Sequence, residues 1–136
     1  MKTKLKPDFT KYSLALVEND KIVYSSRESG LRPLWDCLKK YRQAGKEFIL
    51  FDKVIGLAAA KLAVYAKIIA GIKTLLVSAP AKEFLDENGI PIKTRKTVPN
   101  ILTKEMKAVC PGEIIALNTD NPKSFHTKIR AMLDKN

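Results

Sequence analysis

Apolar and polar residues alternate over "YSLALVEN" (residues 12–19) and again over "KIVYSS" (residues 21–26), with Asn19 and Asp20 between them. Alternation of period two around a turn dipeptide predicts a β-hairpin. In "PLWDCLKKYRQ" the pattern changes, because Leu34, Trp35, Leu38 and Tyr41 fall at helical spacings. An amphipathic helix follows, with Pro33 in its first turn, the "AG" pair as its stop, and Trp35 and Tyr41 in the core. "EFILF" (residues 47–51) is short and continuously apolar. That pattern fits a central strand covered on both faces. Residues 54–70 are rich in alanine and almost wholly apolar, which predicts one long buried helix ending at Gly71.

"KTLLVSA" reads as another buried strand, "PAKEFLDENG" as a helix opened by Pro80 and closed by Gly89, and "IPIKTRKTV" as a further strand. Strand, helix, strand, helix, strand implies parallel strands joined by right-handed crossovers. With the hairpin as an antiparallel edge, the expected fold is an α/β, three-layer α/β/α sandwich around a mixed sheet. Residues 99–123 are less regular. Within them, "CPGEIIALN" admits either a strand or a short helix. The chain closes on a helix with Asn121 as cap, Pro122 at its first position, and Phe125, Ile129, Met132 and Leu133 inward.

A length of 136 residues suits one domain, here residues 12–136 behind a basic N-terminal tail of residues 1–11. The long apolar stretch is interrupted by Lys61 and Lys67, so it reads as a buried helix and not a membrane span. The start of the chain lacks the apolar run of a signal peptide, which sets the expectation of a cytoplasmic protein with no membrane partner. Two cysteines, Cys37 and Cys110, make neither a disulfide framework nor a zinc-type spacing, and no metal or cofactor is expected. The net charge of +11 raises nucleic acid as a partner. The lysines are scattered, dense only in the first eleven residues and in "IKTRKTV", and no aromatic-rich stacking strand accompanies them. Charge alone therefore leaves nucleic acid open beside an ordinary basic surface.

Candidate chemistry collects at strand ends. Asp52 and Lys53 end a parallel strand, the edge where open α/β sheets bind ligands. Asp52 alone is also explained as a helix cap. Cys110 and Glu113 in "CPGE" offer a thiol beside a base, with a buried cysteine in a turn as the bland alternative. Ser78 ends a strand, where its hydroxyl either faces the same cleft or caps the next helix. Arg32 precedes a helix and can bind an anion or a surface carboxylate.

The strings "GLRPLWDCL", "DKVIGLAAAKL", "SAPAKEFLDENGI" and "CPGE", in that order across residues 12–117, resemble a small uncharacterised prokaryotic family. That family is known only as a domain of unknown function with a cytidine-deaminase-like fold. Active zinc deaminases hold their metal with a His-x-Glu helix opening and a Pro-Cys-x-x-Cys helix opening. On the resemblance, Asp52 and Val54 stand at the first motif, and Pro80, Ala81 and Phe84 at the second. Alanine and phenylalanine cannot ligate zinc and valine cannot move a proton, so hydrolytic zinc chemistry is not expected. The resemblance also implies that "CPGE" folds back toward the cleft, and that a homodimer is plausible.

The leading expectation is a vestigial cleft that binds a small nucleotide-like or anionic ligand through Lys53, Ser78 and Arg32. Two alternatives stand beside it. One is a metal-independent enzyme using Cys110 with Asp52, Lys53 and Glu113. The other is an RNA-binding or assembly module that uses the basic surface.

Overall fold

The structure is a computed structural model, and it describes residues 3–101 and 110–135. The elements run β1 (Leu14–Glu18), β2 (Lys21–Ser26), α1 (Arg32–Tyr41), β3 (Phe48–Asp52), β4 (Val54–Ile55) and α2 (Leu57–Ala66). They continue with β5 (Ile69–Ser78), α3 (Ala79–Glu87), β6 (Ile92–Val98), α4 (Pro111–Leu117) and α5 (Pro122–Asp134). The result is a mixed α/β domain with one six-stranded sheet and, among the described residues, five helices. None of the described helices is long and apolar enough to cross a membrane.

The hairpin forms where the alternation placed it. Asn19 takes φ of 56° at the turn, a left-handed conformation that asparagine tolerates and β-hairpins require. β1 pairs antiparallel with both β2 and β3. β3, β4 and β6 all pair parallel with β5. β6 spans the stretches of β5 that meet β3 and β4, so it takes the opposite edge. The chain thus steps from β3 to β5 to β6 in one direction across the sheet. Right-handed crossovers then put α2 and α3 on one face.

The core agrees with that placement. Buried residues of α1, α2, α3 and α5 join a single cluster with Leu14, Leu16, Leu50 and Ile72. On the other face, Ala15, Val17, Ile49 and Phe51 meet Leu5, Phe9, Tyr12 and Ala70. The expected sandwich with helices on both faces is therefore corrected. Among the described residues the helices share one side, and the other side is covered by the N-terminal segment, residues 3–13. This segment lies strapped along the sheet. The Lys73 ammonium donates to the Leu5 carbonyl at 3.1 Å, the Tyr12 hydroxyl accepts from the Asp8 amide at 3.0 Å, and the Lys4 amide donates to Asp20 at 2.7 Å.

The long apolar stretch is divided differently from the pattern. Val54 and Ile55 form β4, the helix opens at Leu57 behind Gly56, and it stops at Lys67 with φ of 60°. Ile69 and Ala70 already belong to β5. An all-apolar run carries no period from which a boundary can be read. Within β5, the Thr74 hydroxyl bonds the Leu76 carbonyl at 3.2 Å and accepts from its amide at 3.4 Å. The buried positions shift by one there, from Ile72 and Thr74 to Val77. β6 repeats the device, with the Thr94 hydroxyl bonding Lys96 at 3.0 and 3.3 Å. Thr74 and Thr94 are register partners, so the two strands bend together.

Candidate functional site

Asp52 and Lys53 part company. Asp52 ends β3 and is half-buried on the helical side, where its charge reaches Cys37 of α1. Burial pushes its carboxyl up from 3.8 to about 8, against the opposing pull of the Val54 and Lys53 amides. Burial also pushes the Cys37 thiol up to about 12, with the Asp52 charge as the second cause. Burial thus favours the neutral form of both groups, which makes Cys37 a poor nucleophile. Lys53 is exposed and lines a small pocket of about 180 Å³ with Phe9, Lys11, Tyr12, Ser13 and Arg27. The adjacent acid and base therefore do not act on one another. Nor does Asp52 cap the following helix, which opens five residues later.

The group at the head of α2 is Glu113. It lies in α4, is 2% exposed, and its Oε1 accepts from the amides of Leu57 and, at 3.4 Å, Ala58. A carboxylate there satisfies free N–H groups and sits at the positive end of the helix dipole. Its Oε2 has no hydrogen-bond partner among the described residues. Gly56 makes the approach possible, since a Cβ at that position would fall 2.5 Å from Oε1 and 2.9 Å from Cδ. The converse contact runs from α2 to α4. Lys61, 4% exposed, donates to the carbonyls of Ala116 at 2.7 Å and Thr119 at 2.8 Å, at the end of α4. Burial lowers its pKa, and Asp120 partly restores it. Each helix thus closes an end of the other with a buried charge.

Cys110 is half-buried at the N-cap of α4, and its amide donates to the Ile101 carbonyl at 2.9 Å. No hydrogen bond or ion pair joins it to Asp52 or Lys53 among the described residues. Ser78 is fully buried and caps α3, accepting from the Ala81 amide at 3.3 Å. Ala81 and Phe84 sit in the first turns of α3, Ala81 buried and Phe84 packed beside Tyr65 at 6.1 Å between ring centres. Among the described residues no three His, Cys, Asp or Glu side chains gather as metal ligands.

A larger concave space than the one beside Lys53 lies elsewhere, between α1, the end of α2, and α5. This groove encloses about 540 Å³, within the range of roughly 300–1,000 Å³ common for small-molecule sites. Trp35, Tyr65 and His126 supply aromatic walls, with Trp35 and Tyr65 each 5.9 Å from His126 between ring centres. Arg32, Lys39, Arg42 and Arg130 line it, against only Asp36 and Asp134. Arg32 is engaged, donating to the Leu133 carbonyl at 2.6 Å and lying 3.9 Å from Asp36. Lys39 and Arg42 have no carboxylate partner among the described residues. Trp35, expected in the core, is a half-buried wall of this groove. The signal was present in the sequence. Trp35, Lys39 and Arg42 lie on one stripe of α1, and His126 and Arg130 lie one turn apart on α5.

This arrangement, a mixed α/β domain with a closed α2 head and an open aromatic and cationic groove, has relatives. Residues 4–133 match the family model described as TM1506, a domain of unknown function (DUF1893). The chain belongs to that family. A crystal structure of a DUF1893 family protein (TM1506) from Thermotoga maritima is similar to it, with a TM-score of 0.78 and 27% sequence identity. The match covers 93% of this chain and 82% of that one. No curated protein matches the chain.

Proposed function

We propose that the chain is a ligand-binding domain on a cytidine-deaminase-like scaffold, taking a small nucleotide-like anion in the groove between α1 and α5. The scaffold reading is supported by an antiparallel hairpin leading into parallel β3, β5 and β6 with α2 and α3 as crossovers. The residues at the opening of α2, Gly56, Leu57 and Ala58, and at the opening of α3, Ala81 and Phe84, bear no metal-binding group. The head of α2 is already filled by Glu113, so the helix amides that would hold an anion there are in use. The ligand place therefore moves from the expected cleft to the groove.

One observation carries the reading: three aromatic side chains and two cations without carboxylate partners line a single concavity. Aromatic faces suit a nucleobase, and free cations suit a phosphate. Trp35 is the one tryptophan of the chain, so its fluorescence reports the groove directly. Titration with nucleoside monophosphates should change that emission saturably, and Arg42→Ala should weaken the effect about tenfold. If no nucleotide alters either the emission or the melting temperature, the groove is not a nucleotide site. The enzyme built on Cys110 has less support, because Lys53 faces away from Asp52 and no hydrogen bond joins Cys110 to either of them among the described residues.

A further inference from the structure

The sheet face under the N-terminal strap carries like charges held close together, of which Lys73 alone is tied into the strap. Lys73 of β5 and Lys93 of β6 are direct register partners in a parallel pair, and so present like charges side by side. Cross-strand like charges destabilise a sheet. The Lys73 ammonium sits over the Phe51 ring at 5.7 Å and donates to the Leu5 carbonyl at 3.1 Å, which places it on the strap side. Lys6 of the strap lies close enough, with Lys93, for both charges to press on Lys73. Arg95 follows two residues after Lys93 and is exposed as well.

Toward the end of β3 the same face continues into the pocket lined by Lys11, Arg27 and Lys53, with the hydroxyls of Thr10, Tyr12 and Ser13. Among the described residues no carboxylate lines that pocket. Lys6, Lys53, Lys93 and Arg95 are exposed and have neither an ion pair nor a hydrogen bond from their side chains among the described residues. The nearby acids are engaged locally. Asp8 accepts from the amide and hydroxyl of Thr10 and lies 3.9 Å from Lys11, and Asp20 accepts from Thr3 and Lys4.

We infer that this face is a binding surface for the phosphate backbone of a nucleic acid, with Lys6, Lys73, Lys93 and Arg95 as one contact group and Lys11, Arg27 and Lys53 as the other. Cations held side by side without counter-charges lower their energy when a polyanion neutralises them and releases its own counterions. A bilayer is the poorer fit. Among the described residues the large exposed apolar ones, Ile22, Val54, Ile114 and Leu117, belong to β2, β4 and α4, while Leu5 and Phe9 are packed against the sheet. Among the described residues, none of those four large exposed apolar side chains belongs to the strap or to β5 or β6. The contacts are to phosphate, so they do not select a base sequence. This site is separate from the groove, which lies among the helices.

The test uses the full chain with a labelled single-stranded 20-mer RNA, the same sequence as DNA, and anionic phospholipid vesicles. Binding of RNA should weaken steeply between 50 and 200 mM salt. Lys73→Gln/Lys93→Gln/Arg95→Gln should reduce the slope of log affinity against log salt by about two, at about 0.7 per phosphate for a single strand. Lys40→Gln/Lys123→Gln/Lys135→Gln, which removes the same net charge from the helical side, should leave affinity within about twofold. Melting curves should show all variants folded, since every exchange is on an exposed or half-exposed lysine or arginine. Trp35→Ala should leave RNA binding intact, which separates this surface from the groove. Equal binding of DNA identifies the backbone alone, and preference for RNA adds the 2′-hydroxyl. The inference is overturned if RNA fails to bind at 50 mM salt, if both triple variants lose affinity equally, or if vesicles are bound and RNA is not.

Discussion

At the seam between α2 and α4, two charges are buried and each is turned onto the end of a neighbouring helix: Glu113 onto the amides of Leu57 and Ala58, Lys61 onto the carbonyls of Ala116 and Thr119. On the strap face, Lys73 and Lys93 stand opposite one another, and among the described residues neither has an ion pair. The two regions use charge for different ends. Inside, a charge is tolerated because backbone groups that would otherwise go unpaired meet it. Outside, Lys73 ties down the strap, while water tolerates the exposed charge of Lys93 at little expense and the fold gains nothing from it. A buried charge met by helix ends signals structure. A row of exposed cations without partners signals something that arrives later.

Substitutions at the two regions can break or sharpen this contrast. Glu113→Ala should have the largest effect, about 3–4 kcal/mol of lost stability in denaturant unfolding, because it uncaps α2 and leaves a cavity. Glu113→Gln keeps an acceptor and should lose less than half of that. If alanine and glutamine cost the same, the carboxylate geometry is not what holds the seam. Gly56→Ala comes next, at about 2–3 kcal/mol, because its Cβ meets the Glu113 carboxylate and the neighbouring Ile101 side chain at 3.0 Å. A neutral result there would mean that α4 moves away freely.

The third effect depends on pH. The Asp52 carboxyl stays protonated in the folded chain up to about 8, whereas its ordinary value is 3.8. The unfolded chain therefore loses this proton first as pH rises. The stabilisation is complete below about pH 4 and is lost as pH climbs through 8. Asp52→Asn removes the dependence, so it should be more stable than the parent at pH 8 and lose that advantage at pH 4. The gap should reach roughly 2 kcal/mol, less than the full shift would give because water reaches part of the side chain. Equal pH profiles for the two proteins would show that Asp52 ionises normally. The smallest effect belongs to the strap face. Lys93→Gln relieves the repulsion with Lys73 and should raise stability by about 0.5 kcal/mol while weakening RNA binding. Destabilisation by this change would mean that the lysine serves the fold after all.

What the amino-acid pattern revealed follows from which interactions are local. The hairpin, α1, β3 and the capped α5 are each determined by residues within one turn or one strand of each other, and their alternation or spacing was readable. The division of residues 54–70 was not, because β4, α2 and the start of β5 are all apolar there and only pairing with β5 separates them. Asp52 read as a helix cap because it precedes an apolar run, yet the cap comes from Glu113, 56 positions from Leu57 in the chain. No local rule connects residues that far apart. Lys61 was visible as a break in an apolar stretch, but its partners at the end of α4 were not. Ser78 was legible in both of its readings, and the capping one holds. The strap was visible as a cluster of lysines, while Leu5 and Phe9 within it, the residues that attach it, carry too short a pattern to reveal a partner.

That strap has a consequence for how the protein can be handled. Leu5 and Phe9 are what shield Ala15, Val17, Ile49 and Phe51 from water. A truncation that begins at Ser13 to remove an apparently disordered, lysine-rich leader would strip one side of the central strands bare. Such a trimmed protein should stick to itself or to hydrophobic resin, so affinity tags belong at the other end.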